Sequence, residues 1–145
     1  MSHKTEQENF WAGDFGDEYI ARNKSERLLA SNLNFFTKGL KSAGKIGSVI
    51  EFGSNVGMNL RALKLLYPEQ EQFGIEINSK AASELSSLIG KEKVFCGSIF
   101  DFNLEAKYDL SLIKGVLIHI HPEMLSDVYE KIYSVSKKYI LLCEY

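Results

Sequence analysis

The sequence predicts an α/β domain in which helices cover both faces of a doubly wound, mostly parallel sheet. Short apolar runs alternate along the chain with longer segments whose apolar residues recur at helical spacing. The apolar runs are nearly continuous, as in strands that are buried on both faces. A glycine turn from Gly53 to Gly57 follows the first of these runs and leads into a helix, which is where sheets of this kind bind ligands.

The composition is ordinary for one globular domain, with 145 residues, 45% of them hydrophobic and 25% charged. A formal net charge of −2 provides no basic field that would attract nucleic acid. No apolar run approaches the roughly 18–20 residues that span a bilayer, and the polar N-terminus has no signal-peptide core. We therefore expect a cytoplasmic protein that binds neither nucleic acid nor membrane. The sequence does not predict its oligomeric state.

The two cysteines lie in apolar, strand-like runs. Cys96 and Cys143 are therefore expected to be buried free thiols. Their spacing does not match that of metal ligands, so no metal site is predicted.

The N-terminal region divides into three predicted parts. Residues 1–9 are polar and are predicted to be disordered. Residues 10–23 carry four aromatic residues and two glycines, which does not fit a simple amphipathic helix. We expect this segment to be either a hydrophobic flap packed on the core or a lid over a ligand. A helix then begins after its N-cap Ser25 and ends at Gly44 or Gly47.

Strands and helices follow one another through the rest of the chain. Predicted strands cover 48–52, 72–77, 93–96, 108–114 and 139–143. The helices between them carry apolar stripes and stop at Pro68 or Gly90, while Pro122 suits the first position of the last helix.

These elements form a single predicted domain, 10–145. It comprises an N-terminal lid and helix (10–47) and a sheet core (48–145). The sequence stops directly after the fifth strand, where a domain of this plan normally continues. We therefore expect a domain truncated after that strand.

The glycine turn does not fit a dinucleotide site. A dinucleotide fingerprint needs Gly-x-Gly-x-x-Gly so that the backbone can approach a pyrophosphate. Here the three positions hold Gly53, Asn55 and Met58. A nucleotide-sugar oxidoreductase that uses NAD is therefore disfavoured, and a P-loop is excluded because its Gly-Lys-Ser/Thr is missing.

The turn instead matches acid-x-Gly-x-x-x-Gly through Glu51, Gly53 and Gly57. This pattern suits S-adenosylmethionine, because Glu51 makes the pocket negative toward a cationic methionine end and Gly53 lets the backbone pass close to the ligand. Glu76 ends the second strand and can accept hydrogen bonds from both ribose hydroxyls. The alternative is that both carboxylates simply face solvent at the ends of strands.

Residues 51–57, Glu-Phe-Gly-Ser-Asn-Val-Gly, resemble the first motif of class I S-adenosylmethionine-dependent methyltransferases. Asn55 replaces the usual middle glycine, which is tolerable if Asn55 is helical or left-handed. The resemblance implies a Rossmann-like fold, S-adenosylmethionine as cofactor, S-adenosylhomocysteine as product and no metal. It also implies an adenine-contacting loop at Gly97-Ser98-Ile99, where Ser98 replaces an acid and Asp101 is the nearest substitute.

The resemblance also implies a set of cofactor contacts, with the methionine carboxylate held near Tyr19 and Arg22 and the cofactor or acceptor near Lys114. The implied cofactor-binding residues are Tyr19, Arg22, Glu51, Gly53, Ser54, Asn55, Gly57, Glu76, Ile77, Ser98, Ile99 and Lys114.

Two further blocks narrow the resemblance. Residues 10–23 and the run Lys-Gly-Val-Leu-Ile-His-Ile-His-Pro-Glu at 114–123 are similar to the methyltransferases associated with pseudaminic acid biosynthesis. These are bacterial enzymes linked to nonulosonic sugars. The resemblance covers nearly the whole chain from Phe10. It implies a small-molecule acceptor, in the first place a sugar, an N-terminal lid over the cofactor, and a C-terminal hairpin beyond the fifth strand.

Methyl transfer to a hydroxyl or amine benefits from a general base, and His119 is the first choice because it follows the fourth strand. The alternative is that His119 or His121 caps the helix at Pro122 or packs under the lid. A non-catalytic relative that binds the nucleoside, or only a partner protein, is the alternative function.

Overall fold

The computed structural model describes residues 4–145, and its centre is one parallel sheet in the order β3-β2-β1-β4-β5. The strands are β1 (Ser48–Phe52), β2 (Glu71–Glu76), β3 (Val94–Cys96), β4 (Tyr108–Lys114) and β5 (Ser136–Cys143). All four neighbouring pairs are parallel, so the carboxyl ends of the strands lie along one edge. The strand order reverses at β1, and this is the point at which open α/β sheets bind ligands.

Helices cover both faces of the sheet, which confirms the predicted fold class. They are α1 (Glu6–Ala12), α2 (Asp14–Arg22), α3 (Glu26–Gly39), α4 (Met58–Leu66), α5 (Ser79–Ile89) and α6 (Leu125–Ser134). On β1, Val49 belongs to the apolar cluster under α3 and α4, whereas Ile50 and Phe52 belong to the cluster under α6. Successive strand residues therefore serve two cores, which explains the continuous apolar runs.

The observed strand limits agree with the predicted ones at the centre of the sheet and differ more at its edge. The predicted limits of β1 and β4 are confirmed. β5 begins at Ser136, three residues earlier than predicted, where the Ser136 hydroxyl donates to Ser111 Oγ at 2.7 Å. α3 ends at Gly39 rather than at Gly44, and its C-cap is Leu40.

The predicted disorder of 1–9 is wrong for residues 6–9, which belong to α1; residues 1–3 lie outside the described residues. The helix begins with a capping box: the Glu8 amide donates to Thr5 Oγ1 at 3.1 Å, and the Thr5 amide donates to Glu8 Oε2 at 3.0 Å. This exchange satisfies two backbone groups at once and stabilises a short helix.

The aromatic segment 10–23 is also mostly helical. Gly13 divides it between the end of α1 and the start of α2. We call α1 and α2 together the N-terminal helical pair. The two helices approach closely at Gly16, where an added Cβ would lie 2.0 Å from the backbone oxygen of Trp11.

The predicted burial of the cysteines is wrong for Cys96, which is exposed because β3 forms an edge of the sheet. Cys143 is partly buried. Across residues 4–145, the structure contains no helix that is both long and apolar enough to cross a membrane.

Candidate cofactor-binding site

A cavity of about 230 Å³ lies at the carboxyl ends of the strands, between the sheet and the N-terminal helical pair. Its floor is formed by residues that follow four neighbouring strands. In the order of the sheet these are Ser98 after β3, Glu76 at the end of β2, Gly53 to Val56 after β1, and Lys114 to Val116, His119 and Ile120 at and after the end of β4. Trp11, Gly16 and Tyr19 of the helical pair lie over this floor.

The turn after β1 depends on three left-handed residues. Gly53, Asn55 and Gly57 have φ values of +76°, +49° and +86°. Asparagine is one of the few residues besides glycine that visit this region readily, so Asn55 preserves a turn that usually contains glycine. Gly53 also lies against the loop after β4, because an added Cβ would be 2.6 Å from Val116 Cγ2.

The Glu76 carboxyl joins this turn to the start of α5. Its Oε2 accepts from the Asn55 amide at 2.7 Å, and its Oε1 accepts from the Asn78 amide at 2.8 Å. The side chain lines the cavity, although Glu76 as a whole is only 8% exposed. Burial raises the pKa of Glu76, and the backbone amides of Asn78, Asn55 and Ile77 oppose that rise by stabilising the ionised form.

Glu51 lies beneath the turn and is fully buried. The Asn59 side-chain amide donates to its Oε1 at 2.7 Å. Burial raises the pKa of Glu51 to about 8, while Asn59 and the positive charge of Lys114 oppose the rise. The carboxyl therefore holds its proton at pH 7. The alternative that Glu51 and Glu76 are solvent-facing carboxylates is wrong, since both are buried. The expectation that Glu51 makes the pocket negative is also wrong, because this buried carboxyl is neutral at pH 7 and does not line the cavity.

Three buried side-chain oxygens near the turn, of which the two amide oxygens are acceptors, have no hydrogen-bond partner among residues 4–145. They are Glu51 Oε2, Asn55 Oδ1 and Asn59 Oδ1. Asn55 and Asn59 also line the cavity. A buried acceptor without a donor is costly, so this side of the cavity suits a ligand that carries several N–H donors. The ammonium group of S-adenosylmethionine meets that requirement, and the residues present therefore fit the cofactor.

Side chains make most of the contacts between the helical pair and the floor, and the Trp11 backbone oxygen also accepts from the Asn78 side-chain amide at 3.4 Å. Asp17 accepts from the Asn78 side-chain amide at 2.9 Å and forms an ion pair with Lys80. The Ser98 hydroxyl donates to Glu8 Oε1. The Trp11 ring lies 4.6 Å from the His119 ring, measured between centroids. The pair thus contacts the ends of β2, β3 and β4.

The loop after β4 carries both histidines, of which His119 lines the cavity and His121 does not. His121 caps the turn at Pro122, with its Nδ1 accepting from the Glu123 amide at 3.4 Å. His119 packs under Trp11 and also lines the cavity. Burial lowers the pKa of His119, and the Glu144 carboxyl opposes that change.

Glu144, directly after β5, fixes the start of this loop. Its Oε1 accepts from the amides of Val116 and Leu117, each at 3.1 Å. Lys114 also lies at the cavity, with its Nζ 5.7 Å from the centre of the Phe35 ring. The start of the loop after β4 is thus held by the Glu144 side chain, which follows the neighbouring strand β5.

Most of the site residues expected from the sequence line the cavity. These are Tyr19, Gly53, Ser54, Asn55, Glu76, Ile77, Ser98, Ile99, Lys114 and His119. Three do not: Glu51 is buried beneath the turn, Gly57 is buried at the end of the turn, and Arg22 is exposed at the end of α2.

Sequence reasoning missed several lining residues, including Glu8, Trp11, Asn32 and Asn59. Asn32 carried a readable signal, because it is a polar residue within the apolar stripe of α3, and in the structure it is only 3% exposed. Glu8 carried a weaker one, as the acid of a Thr-x-x-Glu capping box.

Comparison of the sequence with protein-family models finds no match, and comparison with curated proteins finds none either. Solved structures do match the fold. Plantazolicin methyltransferase BpumL in complex with S-adenosylhomocysteine superposes with a TM-score of 0.70 at 19% identity, over 94% of this chain and 56% of its own. The magnesium protoporphyrin IX methyltransferase ChlM from Synechocystis PCC 6803, with bound S-adenosylmethionine, gives 0.69 at 14% identity, over 98% and 77%.

A third neighbour, coclaurine N-methyltransferase bound to N-methylheliamine and S-adenosylhomocysteine, gives a TM-score of 0.64 at 16% identity, over 79% of this chain and 34% of its own. The chain spans little more than half the length of the plantazolicin methyltransferase. The narrower resemblance to pseudaminic acid-associated enzymes has no counterpart in these comparisons and stays a prediction. The chain therefore has the fold of class I S-adenosylmethionine-dependent methyltransferases.

Proposed function

We propose that this chain binds S-adenosylmethionine and transfers its methyl group to a small-molecule acceptor. One observation carries the proposal: the cavity presents Ser98, Glu76, the Gly53 turn and Lys114 in the order of the strands that precede them. Adenine, ribose and the methionine chain follow the same order in the cofactor. The expected metal-free chemistry fits, because methyl transfer from a sulfonium needs no metal.

Glu76 is the proposed ribose ligand. Each oxygen of its carboxyl accepts one backbone amide hydrogen, from Asn55 or Asn78, and retains a further acceptor position. The two remaining acceptor positions could bind the two ribose hydroxyls. The hydrogen bonds from the Asn55 and Asn78 amides would then be retained. A nicotinamide dinucleotide would need a second glycine where this chain has Asn55, which counts against an oxidoreductase.

The methionine end is proposed to lie between the turn and Lys114. The unpartnered acceptors Asn55 Oδ1 and Asn59 Oδ1 would receive the ammonium, and Lys114 would bind the carboxylate. Glu51 acts behind Asn59, since a cation in the cavity favours its ionised form. Tyr19 lies over the same region, whereas Arg22 does not line the cavity, so we assign no cofactor contact to Arg22.

When bound, the cofactor supplies a methyl group that passes to an oxygen or nitrogen of the acceptor as the carbon–sulfur bond breaks and its electron pair returns to sulfur. The chain's own contribution is alignment and exclusion of water, for which the helical pair serves as the predicted lid. His119 is the proposed general base. Its lowered pKa leaves the imidazole neutral at pH 7, so it can take the acceptor's proton.

The acceptor we propose is a nonulosonic sugar or a related small molecule, on the strength of the sequence resemblance in 10–23 and 114–123. The solved neighbours name acceptors as different as a plantazolicin analogue and N-methylheliamine. Their range gives no preference among acceptor classes for this chain.

Isothermal titration tests the proposal. We expect S-adenosylhomocysteine to bind and NAD not to bind. Glu76→Gln should weaken binding of S-adenosylhomocysteine by about ten-fold or more. A carboxylate accepts hydrogen bonds at both oxygens, whereas the glutamine side chain accepts only at its one oxygen. The matched control is Glu71→Gln, which changes an exposed glutamate at the opposite end of the same strand. A protein that binds NAD but not S-adenosylhomocysteine contradicts the proposal, and binding without transfer to any sugar favours the non-catalytic alternative.

His119 can be tested by kinetics once an acceptor is in hand. His119→Asn should lower kcat by about 10²-fold or more while leaving the affinity for S-adenosylhomocysteine nearly unchanged. Formation of S-adenosylhomocysteine from a panel of nonulosonic sugars is the measurement. His121→Asn is the control, since His121 only caps the following turn. An unchanged kcat in His119→Asn removes His119 from the mechanism.

A further inference from the structure

The loop after β3 ends the cavity on the side where the proposed cofactor places its adenine. Ser98 is buried in this loop, and its hydroxyl accepts from the Phe100 amide at 3.1 Å while donating its hydrogen to Glu8 Oε1. The hydroxyl hydrogen is therefore already engaged. The group that Ser98 holds in place is a carboxyl from the N-terminal helical pair.

Within the loop itself, the nearest acid points elsewhere. The Asp101 side chain is 57% exposed and lies 3.2 Å from Lys4 Nζ in an ion pair, and Asp101 does not line the cavity. The expectation that Asp101 substitutes for an acid at the Ser98 position is therefore not supported by its location. Glu8 is the residue that brings a carboxyl to this place, 90 positions away in the sequence.

Glu8 is well prepared to bind a ligand group. It is only 7% exposed and lines the cavity. Its Oε2 accepts from the Thr5 amide at 3.0 Å, which anchors the side chain to the start of α1. Its Oε1 accepts from Ser98 and keeps one free acceptor position, because a carboxyl oxygen has two. The side chain is thus fixed at both oxygens and still able to accept a hydrogen bond.

We propose that Glu8 accepts a hydrogen bond from the exocyclic amino group of adenine, so that the helical pair selects the base. The inference rests on the proposed function, since it assigns a residue to the adenine of that cofactor. A purine with an oxygen at this position presents an acceptor to another acceptor and is disfavoured. Base recognition and attachment of the helical pair then use the same carboxyl group.

The test compares S-adenosylhomocysteine with S-inosylhomocysteine, in which oxygen replaces the amino group. Both are titrated by calorimetry into wild-type protein, Glu8→Gln and the control Glu6→Gln, an exposed change in the same helix. Glutamine is compatible with the capping box, so the helix is retained, but its amide nitrogen donates where the carboxyl oxygen accepted.

We expect the wild type and Glu6→Gln to prefer S-adenosylhomocysteine. Glu8→Gln should bind it about ten-fold more weakly and should gain affinity for S-inosylhomocysteine, so that the preference shrinks or reverses. Equal weakening toward both ligands would mean that Glu8 only attaches the helical pair, and this overturns the proposal. An unchanged preference in Glu8→Gln overturns it as well, while the cofactor proposal stands. If the wild type binds neither ligand, the proposed function fails and the inference fails with it.

Discussion

The floor of the cavity and the N-terminal helical pair above it are held by different forces. The floor consists of buried parallel strands and a left-handed turn, tied together by backbone hydrogen bonds and by the Glu76 carboxyl. The helical pair is attached mainly through side chains: Glu8 to Ser98, Asp17 to Asn78 and Lys80, Trp11 to His119, and Ile20 in a small buried apolar cluster with Val56 and Ala81.

Because of this difference, we expect the sheet to determine the stability of the domain and the helical pair to respond to a bound ligand. The sheet of the floor is part of the core that folds the domain, so it persists whether or not a ligand is bound. Three attachment points of the helical pair, Ser98, Asn78 and His119, line the same cavity as the proposed cofactor. Regions held by few contacts open at low free-energy cost. We therefore expect ligand binding to change the exposure of the helical pair much more than that of the sheet.

Gly53→Ala should break the floor and have the largest effect. The added Cβ meets both an unfavourable φ of +76° and Val116 Cγ2 at 2.6 Å. We expect a loss of about 2–5 kcal/mol in the free energy of unfolding, measured in urea, together with loss of S-adenosylhomocysteine binding. The control is Gly39→Ala on α3, where an added Cβ has no atom within 4 Å. Equal stability of the two variants would contradict this view of the turn.

Glu51→Gln should make the stability of the floor less dependent on pH. The folded protein keeps the Glu51 proton up to about pH 8, whereas the unfolded chain releases it near 4.5. Wild-type stability therefore falls as pH rises through this window, because the folded state binds more protons. Glutamine cannot ionise, so we expect the variant to exceed the wild type at pH 8 by on the order of 2–3 kcal/mol and to match it more closely near pH 5.

Urea unfolding at several pH values measures this difference. Glu69→Gln, an exposed change, is the control and should follow the wild-type curve. If the Glu51→Gln and wild-type curves run parallel from pH 5 to pH 8, the Glu51 carboxyl is not the buried proton carrier described above.

Gly16→Ala should break the helical pair and leave the floor intact, which is the smallest expected effect on stability. Its Cβ would lie 2.0 Å from the Trp11 backbone oxygen, and a backbone atom cannot move aside cheaply. We expect faster amide exchange across 6–22 and about ten-fold weaker S-adenosylhomocysteine binding, with less than about 1 kcal/mol lost in urea unfolding. A loss as large as that of Gly53→Ala would show that the helical pair and the sheet unfold as one unit.

The same division explains what could be predicted from the sequence. The limits of β1 and β4 were predictable because both strands are continuous apolar runs that are buried on each face. Gly53 and Glu76 were predictable because the turn and the strand end are local features. For Glu8 the capping box predicts only a helix start, because its place in the cavity depends on a contact with Ser98 that no local pattern encodes.

The expected position of Arg22 at the cavity and the expected burial of Cys96 are not found in the structure, for a related reason. The exposure of Arg22 depends on which face of α2 packs inward, and its sequence of mixed aromatics and charges leaves that choice to the tertiary fold. The exposure of Cys96 depends on β3 lying at an edge of the sheet, which follows from the strand order and not from the apolar character of the strand.

The parallel strand order also sets the distances between the residues that form the floor of the cavity. Neighbouring strands are about 4.8 Å apart, so the ends of β3 and β4, three spacings from each other, lie about 14 Å apart. Only an extended molecule can touch Ser98 and Lys114 at the same time. Adenosine alone would reach only the first two strand ends, so we expect the spacing of the strands to favour the full-length proposed cofactor over adenosine.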